Sequence, residues 1–208
     1  MTDEPTAGEW LVPPPRTAAG WLLLRRPEPG DSSALYDAVV ASVDHLRPWM
    51  SWAEGYTPQM AEAFVDRNAA KPGDPPVAEV SYLVWDRDDH LLGVCGLHAR
   101  IGPGALEIGY WVDVRRTGRG VATLAAAALT ELAFSISGVR AVEIHHDEAN
   151  RASRAVPARL GYELVATVDD APGAPAEVGA ELQWRMTRSA WPFSDGARLL
   201  EAARTSSP

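Results

Sequence analysis

The residues best suited to chemistry in this 208-residue chain lie between Leu106 and Leu124, L-E-I-G-Y-W-V-D-V-R-R-T-G-R-G-V-A-T-L. At their centre Arg115, Arg116 and Arg119 alternate with Gly118 and Gly120 in a short basic loop. Ahead of it, Leu106, Ile108, Tyr110 and Val112 alternate with Glu107, Gly109, Trp111 and Asp113, the period of two of a β-strand. Behind it, Val121, Leu124, Ala125, Ala128, Leu129 and Leu132 mark one face of a helix. A strand, a glycine-rich basic loop and a helix form an anion site. The first helical turn has free N–H groups, and the helix dipole is positive there. Gly118 and Gly120 let backbone approach the anion without a Cβ between, and arginine forks match phosphate oxygens.

Two familiar phosphate loops are excluded. A Walker loop needs Gly-Lys-Ser/Thr, and the dinucleotide fingerprint needs a third glycine where this chain has Thr123. Arg115-Arg116-Thr117-Gly118-Arg119-Gly120 instead resembles the acetyl-coenzyme A loop of the GNAT acetyltransferase superfamily, Gln/Arg-x-x-Gly-x-Gly/Ala. Glu107-Ile108-Gly109-Tyr110-Trp111-Val112 resembles the branch that includes the RimJ/RimL ribosomal-protein N-terminal acetyltransferases. So does Asn150-x-x-Ser153 running into Leu160-Gly161-Tyr162. The three blocks span roughly residues 80 to 188.

The resemblance implies a GNAT fold: an α/β (α+β) domain with a central mixed, mostly antiparallel sheet and helices on both faces. It implies acetyl-coenzyme A as cofactor, with coenzyme A as product and a primary amine as acceptor. That acceptor would be a protein or peptide N-terminal α-amine or a small-molecule amine, attacking directly in a ternary complex. It places main-chain groups of Val112 and Val114 against the pantetheine arm. It also places the backbone of Arg116 to Ala122 on the pyrophosphate, and counts Arg115, Arg116, Thr117, Gly118, Arg119, Gly120, Val121 and Ala122 as cofactor-binding residues. Asn150 and Ser153 are carried over as cofactor contacts, with Ser153 also able to protonate the departing sulfur. Glu107 becomes the candidate base, since a shielded carboxylate acting through water can deprotonate an amine near neutral pH; a salt-bridge role stays open. Trp49, Trp52, His98 and Tyr110 are the expected acceptor contacts. Pro157 falls inside the helix that carries Ser153, where it removes a hydrogen bond to the Ser153 carbonyl and is expected to kink the helix. Two other readings stay open: a different acyl donor such as succinyl-coenzyme A, and a non-catalytic domain that senses coenzyme A.

Composition agrees with one globular domain. An apolar fraction of 46% with eight Trp suits a buried core, and a net charge of −9 argues against a nucleic-acid surface. Lys71 is the only lysine, so positive charge is concentrated in arginine, at 115, 116 and 119 and again at Arg151, Arg154 and Arg159. No apolar run approaches a membrane span and the start lacks signal-peptide character, so the expected location is cytoplasmic, without a membrane partner. A homodimer is left open. Cys95, the single cysteine, permits no intrachain disulfide and reads as a buried small residue. His145 and His146, adjacent on a strand, point to opposite faces and make a poor chelate, so no metal is expected.

Around the loop, the elements follow from periodicity and punctuation. Residues 1–18, with Pro5, Pro13, Pro14 and Pro15, read as a loose arm, 19–190 as the domain and 191–208 as a partly ordered tail. Trp21 to Arg26 is a strand; Asp31 opens a helix with Leu35, Val39, Val43 and Leu46 inside. Pro48 breaks it, and Thr57-Pro58 opens a second with Met60, Ala61, Phe64 and Val65 on its inner side. Val80 to Trp85 and Leu91 to Arg100 form a hairpin. Arg140 to His146 is a strand, Asn150 to Arg159 a helix, and Gly161 to Val168 and Glu181 to Arg188 the last strands, joined by an exposed Pro/Gly loop.

Overall fold

A computed structural model describes residues 16–69 and 79–205. Among these residues eight strands form one sheet in the order β1-β2-β3-β4-β5-β6-β8-β7. They are β1 Arg16–Ala19, β2 Leu22–Arg25, β3 Glu79–Trp85, β4 Leu91–His98, β5 Ala105–Val112, β6 Ala141–Asp147, β7 Glu163–Asp169 and β8 Ala180–Thr187. All neighbours are antiparallel except β5 and β6. The helices are α1 Ser32–Leu46, α2 Pro58–Asn68, α3 Val121–Ser135, α4 Arg151–Leu160 and α5 Asp195–Thr205. None of them is long and apolar enough to cross a membrane.

The sheet is covered on both faces. On one, α3 lays its apolar side on Leu97, Leu106, Ile108, Val142 and Ile144 in the main core. Its own surface is buried almost all round because α4 and α5 flank it, which explains the run of small residues from Ala125 to Ala128. On the other face, Leu35, Val39, Ala61 and Val65 of α1 and α2 pack on Leu83, Trp85 and Val94. These two helices lie mainly over β3 and β4, with Trp111 of β5 at their margin, while further along this face Glu107 and Glu143 of β5 and β6 are buried polar side chains.

Local signals act as the sequence suggests, with four exceptions. Thr57 caps α2 with its hydroxyl on the Met60 N–H, with Pro58 in the first turn. Asp31 stands at the start of α1, but its carboxylate takes the Arg25 fork and the Glu28 N–H instead of a helix N–H. Met60 faces outward, since α2 meets α1 and the sheet through Ala61 and Val65. Residues 191–205, expected as a tail, carry α5, which buries Trp191 and Leu200 against the main core. Its amphipathic stripe is short, and Gly196 hid it: a Cβ there would lie 2.6 Å from the Trp191 ring, so the glycine permits the close packing. Residues 16–18 of the expected arm belong to β1; residues 1–15 lie outside the described residues.

If α5 is an integral part of the domain, Leu200→Ala should destabilise the protein by about 3 kcal/mol, as loss of a buried leucine does. Urea denaturation would measure this; a change under about 0.5 kcal/mol, the range of surface substitutions, would mean that α5 is a dispensable appendage.

Candidate active site

β5 and β6 pair only at Ala105↔Ala141, Leu106↔Val142 and Glu107↔Glu143. β5 continues on β4 as far as Gly93↔Val112, so beyond Glu107 its other edge borders a gap. The Asp113 N–H donates to the Leu92 carbonyl at 2.8 Å. In an antiparallel ladder successive residues turn their polar groups to opposite edges, so the Val112 N–H and C=O face the gap. Val114 differs from expectation. The chain turns at Asp113 into a 3₁₀ turn, Val114–Arg116, in which the Val114 N–H donates to Ser42 Oγ at 3.0 Å and its carbonyl accepts from Thr117 Oγ1 at 3.0 Å. Its main chain is therefore already engaged.

The turn delivers the loop to α3. Gly120 is the N-cap residue, with φ +80°, and has no side chain to satisfy the first-turn N–H groups. Gly118 has φ +74°, and a Cβ built on either glycine meets no atom within 4 Å. The result is an open concavity lined by backbone donors. Arg116, Thr117, Gly118, Gly120, Val121 and Ala122 all face it. Arg115 does not: its guanidinium lies on the Asp113 carboxylate, Nε at 2.9 and 3.0 Å and Nη2 at 2.5 Å. Burial pushes the Asp113 carboxyl up, but hydrogen bonds from the Arg115 side chain and N–H outweigh it and hold the group below the usual carboxylate range. Arg115 thus braces the turn from within, while Arg119 is solvent-exposed and outside the cavity lining.

From this concavity a cavity of about 630 Å³ passes through the gap to the opposite face of the sheet. On the α3 side, Tyr110 Oη lies 3.1 Å from Ser153 Oγ and donates to the Ser153 carbonyl at 3.2 Å. Burial pushes the Tyr110 pKa up, against a smaller lowering by the Ser153 hydrogen bond. Asn150 caps α4 by accepting the Ser153 N–H at 3.0 Å. Tyr110, expected among the acceptor contacts, is therefore gathered with Ser153 on the face opposite Glu107.

At the far end Glu107 is buried, and Arg100 holds both its oxygens at 2.7 and 2.5 Å. Its register neighbour Glu143, also buried, is held by Arg185 at 2.7 Å and approached by His145 Nε2 at 2.6 Å. His145 Nδ1 faces Glu181 at 3.3 Å, so both ring nitrogens are spoken for. Trp49 lines the cavity. Trp52 lies outside the lining and meets Tyr56 and Trp111 edge-on and tilted. His98 also lies outside it, folded over Gly109, whose Cβ would stand 3.2 Å from His98 Nε2. The β7–β8 loop closes one wall: Ala176 N–H donates to the Pro48 carbonyl, and Asp147 accepts from Val178 and Gly179.

Residues 22–163 match the model of the acetyltransferase (GNAT) domain. The chain belongs to the GNAT acetyltransferase family. It is 28% identical over 153 residues to YdaF of Bacillus subtilis, a candidate ribosomal N-acetyltransferase, covering 68% of this chain and 77% of that protein. Among solved structures it is similar to Mycobacterium smegmatis RimJ in complex with CoA-disulfide, at 25% identity, 89% and 91% coverage and a TM-score of 0.74. It is also similar in fold to RimL, a ribosomal L7/L12 α-N-protein acetyltransferase in complex with coenzyme A, at 22% identity, 80% and 93% coverage and a TM-score of 0.68.

Within this GNAT domain, sequence reasoning missed Arg100, Ser42 and the Glu143–Arg185 pair, because each meets the site through contacts that no local pattern announces. It read His145 and His146 as structural polar residues, with an acceptor-facing role for one of them as the alternative, and gave His146 no partners. That ring lies on the α3 side, with Trp184 Nε1–H donating to Nε2 at 3.0 Å and Nδ1 on the Asp147 carbonyl at 2.8 Å. Nε2 is an acceptor and Nδ1 the donor, so the ring is the neutral tautomer. Burial lowers its pKa, more than the Asp147 hydrogen bond raises it. A depressed folded pKa means that the unfolded chain binds the extra proton first. Stability from this site is then complete above about pH 6.5 and declines as pH falls below it. His146→Gln, which can keep both hydrogen bonds, should flatten the decline in stability between pH 7 and 5. Chemical denaturation across that range would detect it, and an unchanged slope would remove His146 from the account.

Proposed function

We propose that this protein is an acetyl-coenzyme A-dependent N-acetyltransferase whose acceptor is a primary amine, at a peptide or protein N-terminus or on a small molecule. One observation carries the reading: a single cavity joins the anion cradle at the start of α3 to a buried carboxylate on the other face of the sheet, through the gap between β5 and β6. A long thioester with an anionic end fits that course. The cradle offers free helix N–H groups, two glycines without Cβ obstruction and Arg116, and the β5 edge offers unpaired backbone beside them. The coenzyme complexes of the RimJ and RimL structures are consistent with this.

On this reading the chain's residues divide the work by face. Backbone around Gly118 to Ala122 and the Arg116 side chain hold the pyrophosphate, and Val112 pairs with the pantetheine arm. Asn150 fixes the start of α4, and the Ser153 and Tyr110 hydroxyls stand where a leaving sulfur would be protonated. Bound acetyl-coenzyme A supplies the activated acyl group, so alignment is the main requirement placed on the protein. Glu107 receives the ammonium proton, through water, while Arg100 keeps its carboxylate turned into the mouth. Trp49 supplies an apolar wall for the acceptor.

Two measurements test this. Calorimetric titration with acetyl-coenzyme A should show binding by wild type that Gly118→Asp abolishes, because Asp places a Cβ and a negative charge in the cradle. Absence of binding by wild type would sink the reading. Glu107→Gln should bind the coenzyme normally and lose about 100-fold or more in kcat near neutral pH, in keeping with removal of a general base. Unchanged turnover from mildly acidic to mildly basic pH would show that the proton goes elsewhere.

A further inference from the structure

We propose that Pro157 is a positioning residue for the Tyr110–Ser153 hydroxyl pair: lacking an N–H, it leaves the Ser153 carbonyl open for Tyr110 to occupy. The role rests on the acetyltransferase reading above. In a regular helix the N–H of residue 157 would donate to the carbonyl of residue 153. Proline has none, and its ring crowds that carbonyl. α4 nonetheless runs from Arg151 to Leu160 with Pro157 buried inside it. The helix ends in a glycine cap, where Gly161 at φ +80° lets the Tyr162 N–H reach the Pro157 carbonyl at 3.0 Å. The carbonyl that the proline orphans is taken by Tyr110 Oη at 3.2 Å, from a strand 43 residues earlier.

The consequence is directional. Tyr110 has one proton, and burial keeps the hydroxyl protonated. Given to a carbonyl, that proton meets a group that accepts only, and the Tyr110 lone pairs remain for the Ser153 hydroxyl 3.1 Å away. The Ser153 N–H is already fixed by Asn150. Its hydroxyl is then the one polar group of Ser153 left to adjust, between Tyr110 and the cavity both residues line. With an N–H at position 157, the carbonyl would be filled from within the helix. Tyr110 would turn its proton onto Ser153 Oγ, and the order of donors at the leaving-group end would change. The break in the helix is therefore matched to a tyrosine that fills it, and both lie beside the gap.

The test is Pro157→Ala, alone and with Tyr110→Phe. Removing proline from a helix interior favours the fold, so the melting temperature of Pro157→Ala should hold or rise. A simple packing role predicts a fall. By hydrogen exchange the new amide at position 157 should be protected, bonded to the Ser153 carbonyl. With acetyl-coenzyme A affinity within twofold of wild type, kcat should fall about tenfold, the scale of a small misplacement near reacting groups. Because both changes break one contact, the double variant should be no slower than Tyr110→Phe. Wild-type kcat in Pro157→Ala, a loss that multiplies with that of Tyr110→Phe, or rapid exchange of the new amide would each overturn the proposal. If wild type binds the coenzyme but acetylates no amine, the acetyltransferase reading fails; protection of the new amide, read without turnover, still decides the contact.

Discussion

The arrangement depends on one interruption: the parallel ladder between β5 and β6 stops at Glu107 and Glu143. Parallel strands inside an α/β sheet normally keep their edges paired, because buried backbone groups need partners. Here β6 leaves to pair with β8 along its whole length, while β5 remains on β4. The β5 edge from Ile108 to Val112 is consequently a row of backbone donors and acceptors beside an open channel. Every other feature of the site is placed relative to that opening. The glycine-rich cradle lies at the end of β5, the Asn150 cap lies just beyond β6, and the two buried glutamates sit where the strands part.

Those glutamates show how the opening is held. Two carboxylates at neighbouring rungs, both buried, would repel unless each had its own cation. Arg100 serves one from the β4–β5 connection, and Arg185 serves the other from β8. The two carboxylates then lie side by side with a cation on the outer side of each, Arg100 beside Glu107 and Arg185 beside Glu143, with His145 added to the second carboxylate. Among the described residues α1 and α2 stop short of this part of the sheet, so the polar row is also the floor of the mouth.

The two ends of the central motif are tied to the rest of the fold by polar contacts. Ser42, fully buried on α1, receives the Val114 N–H and so fixes where the strand ends and the loop starts. Behind α3, the Arg188 guanidinium gathers the Phe134, Ile136 and Val139 carbonyls, satisfying acceptors that a helix end leaves orphaned. A buried Thr130–Tyr162 hydrogen bond of 2.6 Å joins α3 to the segment leaving α4. Helix α3 is thereby held at both ends with its positive pole aimed at the cradle.

What the sequence determined by itself was local. The change from period two to period 3.6 across Arg115–Gly120 located β5, the loop and α3, because side-chain direction follows from strand and helix geometry alone. Glycines at 118 and 120 announced a backbone open to close approach, Thr57-Pro58 a helix start, and Asn150 to Arg159 a short helix. The resemblance carried by these blocks gave the family, and the matched domain bears it out. Tertiary structure decided the partners. Arg115 and Arg116 are equally good donors in the sequence, and only the turn at Asp113 spends the charge of the first on a carboxylate and leaves the second facing the cavity. Glu107 looks the same whether free or clamped; Arg100 clamps it because the β4–β5 connection folds back over the sheet. The missing N–H of Pro157 was legible as a defect, but Tyr110, on a strand 43 residues before Ser153, made it a contact. Periodicity and turn chemistry are properties of neighbouring residues, whereas hydrogen-bond and ion-pair partners are chosen by packing that brings distant segments together.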